Sequence, residues 1–277
     1  MLKLTDNEFI EFVNYMNKNY GIDLSKKRVL IEGRLSNLIE RKGMKDFSQY
    51  LESVKRNNKE EITSIINKLT TNYTYFYREE NHFNFFKEVI LPYEEKNNKT
   101  KILNIWSAGC SSGEEPYTLA MILSDYFKLN KANWNIRILA TDISENVLDK
   151  AREGIYSEDS LTKLPESYRK KYLEKTKDNK YQVALEIKKQ VIFKIFNLMN
   201  PIVEKNKYDI IFCRNVMIYF NSETKINVIN KLYDATKLQG YLMIGHSETI
   251  HKNQSKFTYI KPAIYKKEIC ENSKTNL

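Results

Sequence analysis

Cysteine and histidine are scarce in this 277-residue chain, which holds three of each. Cys110, Cys213 and Cys270 are odd in number and far apart, which excludes a disulfide framework and fits a reducing, cytoplasmic compartment. They share no ligand spacing with His82, His246 and His251, so no metal is expected. No apolar run approaches the roughly 18 residues of a membrane span. The start, Met1-Leu-Lys-Leu-Thr-Asp-Asn-Glu8, goes straight into a charged amphipathic pattern, so neither secretion nor membrane insertion is expected. Internal repeats are missing, and the polar tail 269–277 is the one biased tract. A G-x-S-x-G elbow is also missing. The consecutive His246-Ser-Glu248 cannot converge as a triad and reads as a turn after a strand.

What is present describes an ordinary soluble globular protein. The chain is 42% hydrophobic and has room for one medium domain and a smaller one. A net charge of +10 favours an acidic partner such as nucleic acid, an anionic membrane or an acidic protein. The basic residues are nevertheless interspersed with acids, so a compositional habit accounts for the same number.

The stretch Ile102-Leu-Asn-Ile-Trp-Ser-Ala-Gly-Cys-Ser-Ser-Gly-Glu-Glu-Pro-Tyr117 reads as a buried strand, a glycine turn and a helix start. Helix N-termini of dinucleotide-binding folds usually attract a pyrophosphate. Here Glu114 and Glu115 occupy that place, and Gly109-x-x-x-Gly113 departs from the G-x-G-x-x-G fingerprint. Two carboxylates repel a phosphate and attract an ammonium or sulfonium. S-adenosylmethionine carries both cations and no phosphate. A tight turn with a capping Glu pair is the alternative.

Residues 5–70 read as four helices. Thr5-x-x-Glu8 is a capping box, with Phe9, Phe12, Val13 and Met16 on one face before Gly21. Leu30, Leu35, Leu38 and Ile39 mark a second helix, Asp46 opens a third with Phe47, Tyr50, Leu51 and Val54, and Ile62, Ile65, Ile66 and Leu69 mark a fourth. The second helix exposes Arg34, Arg41 and Lys42, with Lys45 just beyond: either a docking face for acidic protein or a solvated surface. After an aromatic segment over 73–86, short apolar runs alternate with helical stretches, the pattern of a parallel sheet with crossovers. Strands are expected at 102–106, 136–141, 191–196, 208–213 and 241–245, with a final hairpin strand at 259–265 broken by Pro262. Some fifty residues separate the second and third strands, too many for one crossover helix. Within them Tyr181-Gln-Val-Ala-Leu-Glu-Ile187 alternates like an edge strand, which implies a small inserted β subdomain.

Site candidates follow from strand ends. Asp142 closes the second strand, where a carboxylate holds two ribose hydroxyls, or where it caps the next helix. Asn197 and Leu198 end the third and suit an adenine edge and face, or simple packing. Cys213-Arg-Asn-Val-Met-Ile-Tyr-Phe220 ends the fourth, with Arg214 and Asn215 following an apolar strand abruptly and Tyr219 either projecting its hydroxyl or packing.

Together these blocks resemble the chemotaxis receptor methyltransferases, the CheR family. The resemblance rests on Thr71-Asn-Tyr-Thr-Tyr-Phe-Tyr-Arg-Glu79, Trp106-Ser-Ala-Gly-Cys-Ser-Ser-Gly-Glu-Glu-Pro-Tyr117, Ala140-Thr-Asp142, Phe212-Cys-Arg-Asn-Val-Met-Ile-Tyr-Phe220 and Gly245-His-Ser-Glu248, in order along nearly the whole chain. It implies an α/β fold: a Rossmann-like class I SAM-dependent methyltransferase domain with an inserted small antiparallel β subdomain, preceded by a small all-α N-terminal domain. The boundaries expected are 1–70 for the helical domain, 71–90 for a linker contributing to the active site, 91–268 for the methyltransferase domain with its insert at roughly 157–190, and 269–277 for the tail.

The resemblance also implies the chemistry: methyl transfer from S-adenosylmethionine to receptor glutamates, leaving S-adenosylhomocysteine, with no metal. Its cofactor contacts fall on Asn72, Thr74, Arg78, Glu115, Asp142, Asn197, Leu198, Arg214 and Asn215, and Arg78 and Tyr219 match the residues beside the methyl group. By itself the 72–78 block looks like an aromatic helix end and Arg78 like a surface charge. The implied partners are the acidic cytoplasmic methylation helices of chemoreceptors, docked through Arg34, Arg41, Lys42 and Lys45 by a monomer with no affinity for nucleic acid. Two rival readings stand beside this one. A nucleic-acid N-methyltransferase is motivated by the +10 charge and Asn215, although Val216 and Met217 replace the prolines of an N-P-P-Y motif. The other is a catalytically silent SAM-binding signalling module, against which Arg78 and Tyr219 argue.

Overall fold

The computed structural model describes residues 2–56, 59–70, 73–127 and 133–268. Thr5 caps α1 (Asp6–Tyr20), its Oγ1 accepting from the Glu8 N–H while the Glu8 carboxylate accepts from the Thr5 N–H at 2.8 Å. The other Glu8 oxygen accepts from the N–H and hydroxyl of Ser48 at 2.9 and 3.0 Å, so one acid serves the starts of two helices. Burial pushes the Glu8 carboxyl up, and the hydrogen bonds from Thr5 and Ser48 outweigh it and hold the pKa low. Helices α2 (Arg28–Arg41), α3 (Phe47–Lys55) and α4 (Lys59–Leu69) complete the set, with Asp46 capping α3. Phe12, Met16, Leu35, Ile39, Tyr50, Val54, Ile65 and Leu69 close a separate core between them.

The chain then turns rather than continuing as helix. Tyr77 and Glu79 take left-handed backbone angles (φ 63° and 58°), which ends any aromatic helix over 72–78. Helix α5 (Glu80–Phe85) follows, and a π-turn over Phe86–Ile90 joins it to α6 (Leu91–Asn97).

Strand β1 (Ile102–Ala108) leads to α7 (Glu114–Tyr126), β2 (Asn135–Asp142) and α8 (Glu145–Glu153). Next come β3 (Ile155–Tyr156), α9 (Glu166–Tyr172), β4 (Leu173–Lys175) and β5 (Tyr181–Val183). Helix α10 (Leu185–Lys188), β6 (Val191–Ile195), β7 (Tyr208–Cys213), α11 (Ser222–Ala235), β8 (Thr236–Ile244), β9 (Thr258–Lys261) and β10 (Ile264–Lys266) complete the chain. The main sheet runs β6-β2-β1-β7-β8-β10-β9, parallel from β6 to β8 and antiparallel beyond. Central β7 is buried at every position, as a strand covered on both faces must be. Its Ile210 and Phe212 face the core under α7, and Ile211 and Cys213 face the core under α11.

The insertion is a three-stranded antiparallel sheet, β3-β5-β4. Its first strand, Ile155–Tyr156, lies just ahead of the expected start near 157, and the alternating run 181–187 is strand only to Val183. Val183 and Ile187 are buried while Leu185 between them is exposed, a spacing of four that suits one helical turn, and Leu185–Lys188 forms it. Strand β8 also begins five residues before the expected 241, because Gly240 lets the polar start of the strand press against β7. A Cβ there would stand 2.8 Å from the Asp209 carbonyl oxygen. Among the described residues no helix is long and apolar enough to cross a membrane.

The fold is therefore α/β: a Rossmann-like, mostly parallel seven-stranded sheet with a small antiparallel insert and an all-α N-terminal region.

Candidate functional site

The carboxyl ends of β1, β2, β6 and β7 open onto one cavity of about 330 Å³, a size that encloses a ligand of nucleoside dimensions. Its floor is the turn after β1. Gly109 (φ 86°) donates its N–H to the Thr141 carbonyl at 2.8 Å, and a Cβ there would come within 2.3 Å of Val216 Cγ2. Gly113 (φ 96°) starts α7 with similar crowding against Ala151.

The two acids that follow part company. Glu114 turns inward, accepting from the Ser112 hydroxyl, and its burial raises its pKa to about 7. Glu115 faces the cavity. Its Oε1 accepts from the Ser107 hydroxyl at 2.7 Å and its Oε2 from Arg214 Nη1 at 2.8 Å.

Arg214 is nearly fully buried and serves as a clamp. Beyond Glu115 it donates to Glu79 Oε2 from Nε and Nη2 (3.3 and 3.2 Å) and to the Arg78 carbonyl, with the Phe83 ring 5.2 Å beneath. Glu79 in turn accepts from Asn215 Nδ2 at 3.3 Å and from the His246 N–H at 3.1 Å. Burial alone would raise the Glu79 carboxyl, but Arg214 and these donors outweigh it and hold the pKa low. Glu79, His82 and His246 bring ligand-type atoms within 4.8 Å of one another. Arg214 already supplies the cation at Glu79, and a metal ion there would face its guanidinium. Burial, then Arg214, push the pKa of His82 down to about 3, so it stays neutral.

At the β2 end, Asp142 Oδ2 accepts from the Ser111 N–H (2.9 Å) and Oδ1 from the Ser144 N–H (3.0 Å). Ser144, not Asp142, occupies the cap position of α8. Each carboxylate oxygen keeps a lone pair for a further donor, which is the requirement for gripping a diol. Asn197 directs its amide to the protein, donating to the Asn19 carbonyl at 2.7 Å and accepting from the Met199 N–H at 2.9 Å. Leu198 gives the wall an apolar surface beside Phe196 and Ile143.

Thr74, Arg78, Asn215 and Tyr219 also line the cavity, and Arg78 Nη1 is oriented by the Tyr73 carbonyl at 2.6 Å. Asn72 lies outside the described residues. The remaining sequence candidates, Arg78, Glu115, Asp142, Asn197, Leu198 and Arg214 among them, thus share one wall system.

Four cavity residues come from the helical region: Tyr20, Ile22, Ile66 and Thr70. Ile22 bridges to Phe220, and the Asp23 N–H donates to the Tyr219 carbonyl at 2.8 Å. Sequence reasoning missed these, and it missed Glu79 and Glu248. The Glu248 carboxylate accepts from three backbone N–H groups, those of Asn215, Ile218 and Gly245. Glu79 and Glu248 end two of the blocks that carry the family resemblance but carry no implied site role there, and nothing marked the others.

Of the basic residues on and after α2, Arg34 donates to the Lys68 carbonyl at 2.6 Å and Lys42 pairs with Glu61, whereas Arg41 and Lys45 are exposed.

The cavity's charge suits the donor proposed from the β1 turn. The charged side chains lining the cavity, Glu115 and Asp142 against Arg78 and Arg214, cancel, and Glu79 behind the wall adds a negative charge on Arg214, so no net positive charge opposes a ligand whose ammonium, sulfonium and carboxylate sum to one positive. Ser111 adds a buried hydroxyl with no hydrogen-bond partner in the cavity wall, a polar atom that a nucleoside would satisfy.

Comparison with known proteins agrees with this geometry. The family model described as "CheR methyltransferase, SAM binding domain" matches residues 72–266, and "CheR methyltransferase, all-alpha domain" matches 7–70. A chemotaxis protein methyltransferase of Borreliella burgdorferi is 47% identical over 96% of each chain. Chemotaxis protein methyltransferase 2 of Vibrio cholerae is 34% identical over 92% of this chain and 89% of its own, and the Escherichia coli chemotaxis protein methyltransferase 32% over 95% and 92%. With a cavity at the strand ends, both family models and relatives matched over 89–96% of their own length, the chain belongs to the CheR methyltransferase family.

Proposed function

We propose that this chain transfers a methyl group from S-adenosylmethionine to glutamate side chains of chemoreceptors, forming glutamyl methyl esters and S-adenosylhomocysteine. The observation that carries this reading is the make-up of the cavity wall: among the described residues lining it there is no histidine or lysine, and its two acids, Glu115 and Asp142, are the ones this reading gives to the donor's ammonium and ribose. An amine or hydroxyl acceptor would need a base, whereas a glutamate with a pKa of about 4.3 arrives as a ready nucleophile. The chemoreceptor as acceptor follows the names of the relatives.

S-adenosylmethionine, when bound, supplies an electrophilic methyl on a sulfonium. Glu115 would hold its ammonium, Asp142 its ribose hydroxyls, Leu198 and Phe196 its adenine face, and Arg214 would keep Glu115 in place. Asn72, Thr74, Asn197 and Asn215 complete the set of contacts in this reading. Arg78 would fix the incoming carboxylate through its guanidinium fork and Tyr219 would orient it by its hydroxyl, in line with the S–CH3 bond at roughly 3 Å. With both reactants bound, the cavity walls would have to exclude the water that stabilises their charges.

Incubation with methyl-labelled donor and receptor membranes tests the proposal. A glutamyl ester releases labelled methanol in mild base, whereas an N-methyl group does not. Label that resists base, or no label on any receptor, would overturn it. Arg78→Ala should lower methyl transfer by about a hundredfold while product binding persists.

A further inference from the structure

We propose that Glu248, which lies outside the cavity wall, is a positioning residue for methyl transfer and acts through the loop that carries Tyr219. This inference rests on the reading of Tyr219 given above. The Glu248 side chain is buried between the loops after β7 and β8. Its Oε2 accepts from the Asn215 N–H at 2.9 Å and from the Gly245 N–H at 2.6 Å, and its Oε1 from the Ile218 N–H at 3.1 Å. One carboxylate therefore holds both ends of 215–218, the segment immediately before Tyr219.

The backbone needs such a tether. Asn215 is held at φ 59°, a left-handed conformation that an asparagine tolerates only at some cost. The two loops also approach closely, since a Cβ on Gly245 would meet Asn215 Nδ2 at 2.4 Å. Asn215 has a second tie through Glu79, and the Tyr219 carbonyl is held by Asp23. For the Ile218 N–H, Glu248 supplies the acceptor. An amide in its place keeps the shape but turns one acceptor into a donor facing an N–H. The loop must then shift, and a displacement of about 1 Å at a reacting group costs up to about a hundredfold in rate.

The test is a double-mutant cycle in the full-length protein with Glu248→Gln and Tyr219→Phe, alone and together. The readouts are kcat and KM on receptor membranes, S-adenosylhomocysteine affinity by calorimetry, and the thermal midpoint. Glu248→Gln should lower kcat about ten- to a hundredfold, with receptor KM and product affinity changed less than about threefold. In the Tyr219→Phe background the further loss should be less than about threefold, because the group being positioned is gone. Should Glu248→Gln lose its fold, Glu248→Asp, too short to span both loops, enters the same cycle. Fully additive losses, or a kcat unchanged by either Glu248 variant while Tyr219→Phe is slow, would overturn the positioning role alone. A Tyr219→Phe enzyme as fast as wild type would overturn the catalytic reading, and this inference with it.

Discussion

Replacing Glu115 by Gln isolates the charge on which the donor argument depends. The amide has the carboxylate's shape and still accepts from Ser107, which donates at 2.7 Å, so the turn should persist. Arg214 loses its 2.8 Å partner but keeps Glu79 and the Arg78 carbonyl, which limits the structural penalty. What disappears is a charge-assisted hydrogen bond to the ligand's ammonium, worth about 1.5–3 kcal/mol net, or roughly ten- to 150-fold in affinity. Titration calorimetry with S-adenosylhomocysteine measures this directly, because the product keeps the ammonium. The decisive comparison uses the same compound without its amino group. In the wild type that deletion should weaken binding by about the same factor, and in Glu115→Gln it should cost little more. Equal affinity of variant and wild type for the product, or an undiminished amino-group effect in the variant, would refute the assignment.

Three further outcomes are expected. Gly109→Ala forces a Cβ within 2.3 Å of Val216 at a φ of 86°, so the thermal midpoint should fall by several degrees, for about 1–3 kcal/mol of strain. Adding Val216→Ala should restore only the part due to the clash, as scanning calorimetry would show. Glu114, with its pKa raised from 4.5 to about 7, binds its proton more tightly folded than unfolded, so its own contribution to stability is fully present below pH 4.5 and is lost as pH rises through about 7, by on the order of 3 kcal/mol. Denaturation series at several pH values should show that decline in the wild type and its loss in Glu114→Gln. Arg41→Glu with Lys45→Glu, both exposed, should raise the KM for receptor in a salt-dependent way and leave product affinity unchanged. Lys42→Glu should instead destabilise the fold by about 2 kcal/mol, measured by urea titration, because it faces buried Glu61.

The parts legible in the sequence are those where local chemistry repeats. The run 208–213 announces a central strand, and Thr5 with Glu8 announces a helix start, because period and capping act over a few residues. Glu115, Asp142, Arg214 and Asn215 were findable because open α/β sheets concentrate polar groups at strand ends. The roles of Glu79 and Glu248 were not, although both end quoted blocks, since each acts on backbone N–H groups or side chains far along the chain and leaves no periodic mark. The turn 185–188 was misread because Val183, Leu185 and Ile187 satisfy both a two-residue and, in part, a four-residue spacing; burial of only the outer pair decides it. Lys42 was grouped with a docking face, yet its partner Glu61 sits on another helix and could not be paired from spacing alone.

The bridge between Ile22 and Phe220, with Asp23 holding the Tyr219 carbonyl, bears on how separable the two halves of this chain are. The helical region supplies Tyr20, Ile22, Ile66 and Thr70 to the cavity, so it is not an adaptor that could be exchanged for another while the sheet domain keeps its chemistry. A graft that changed receptor choice by swapping these helices would also have to reproduce a wall of the cavity and one tether of the Tyr219 loop. In the docking reading, where these helices meet the receptor, substrate choice and donor enclosure would have to change together.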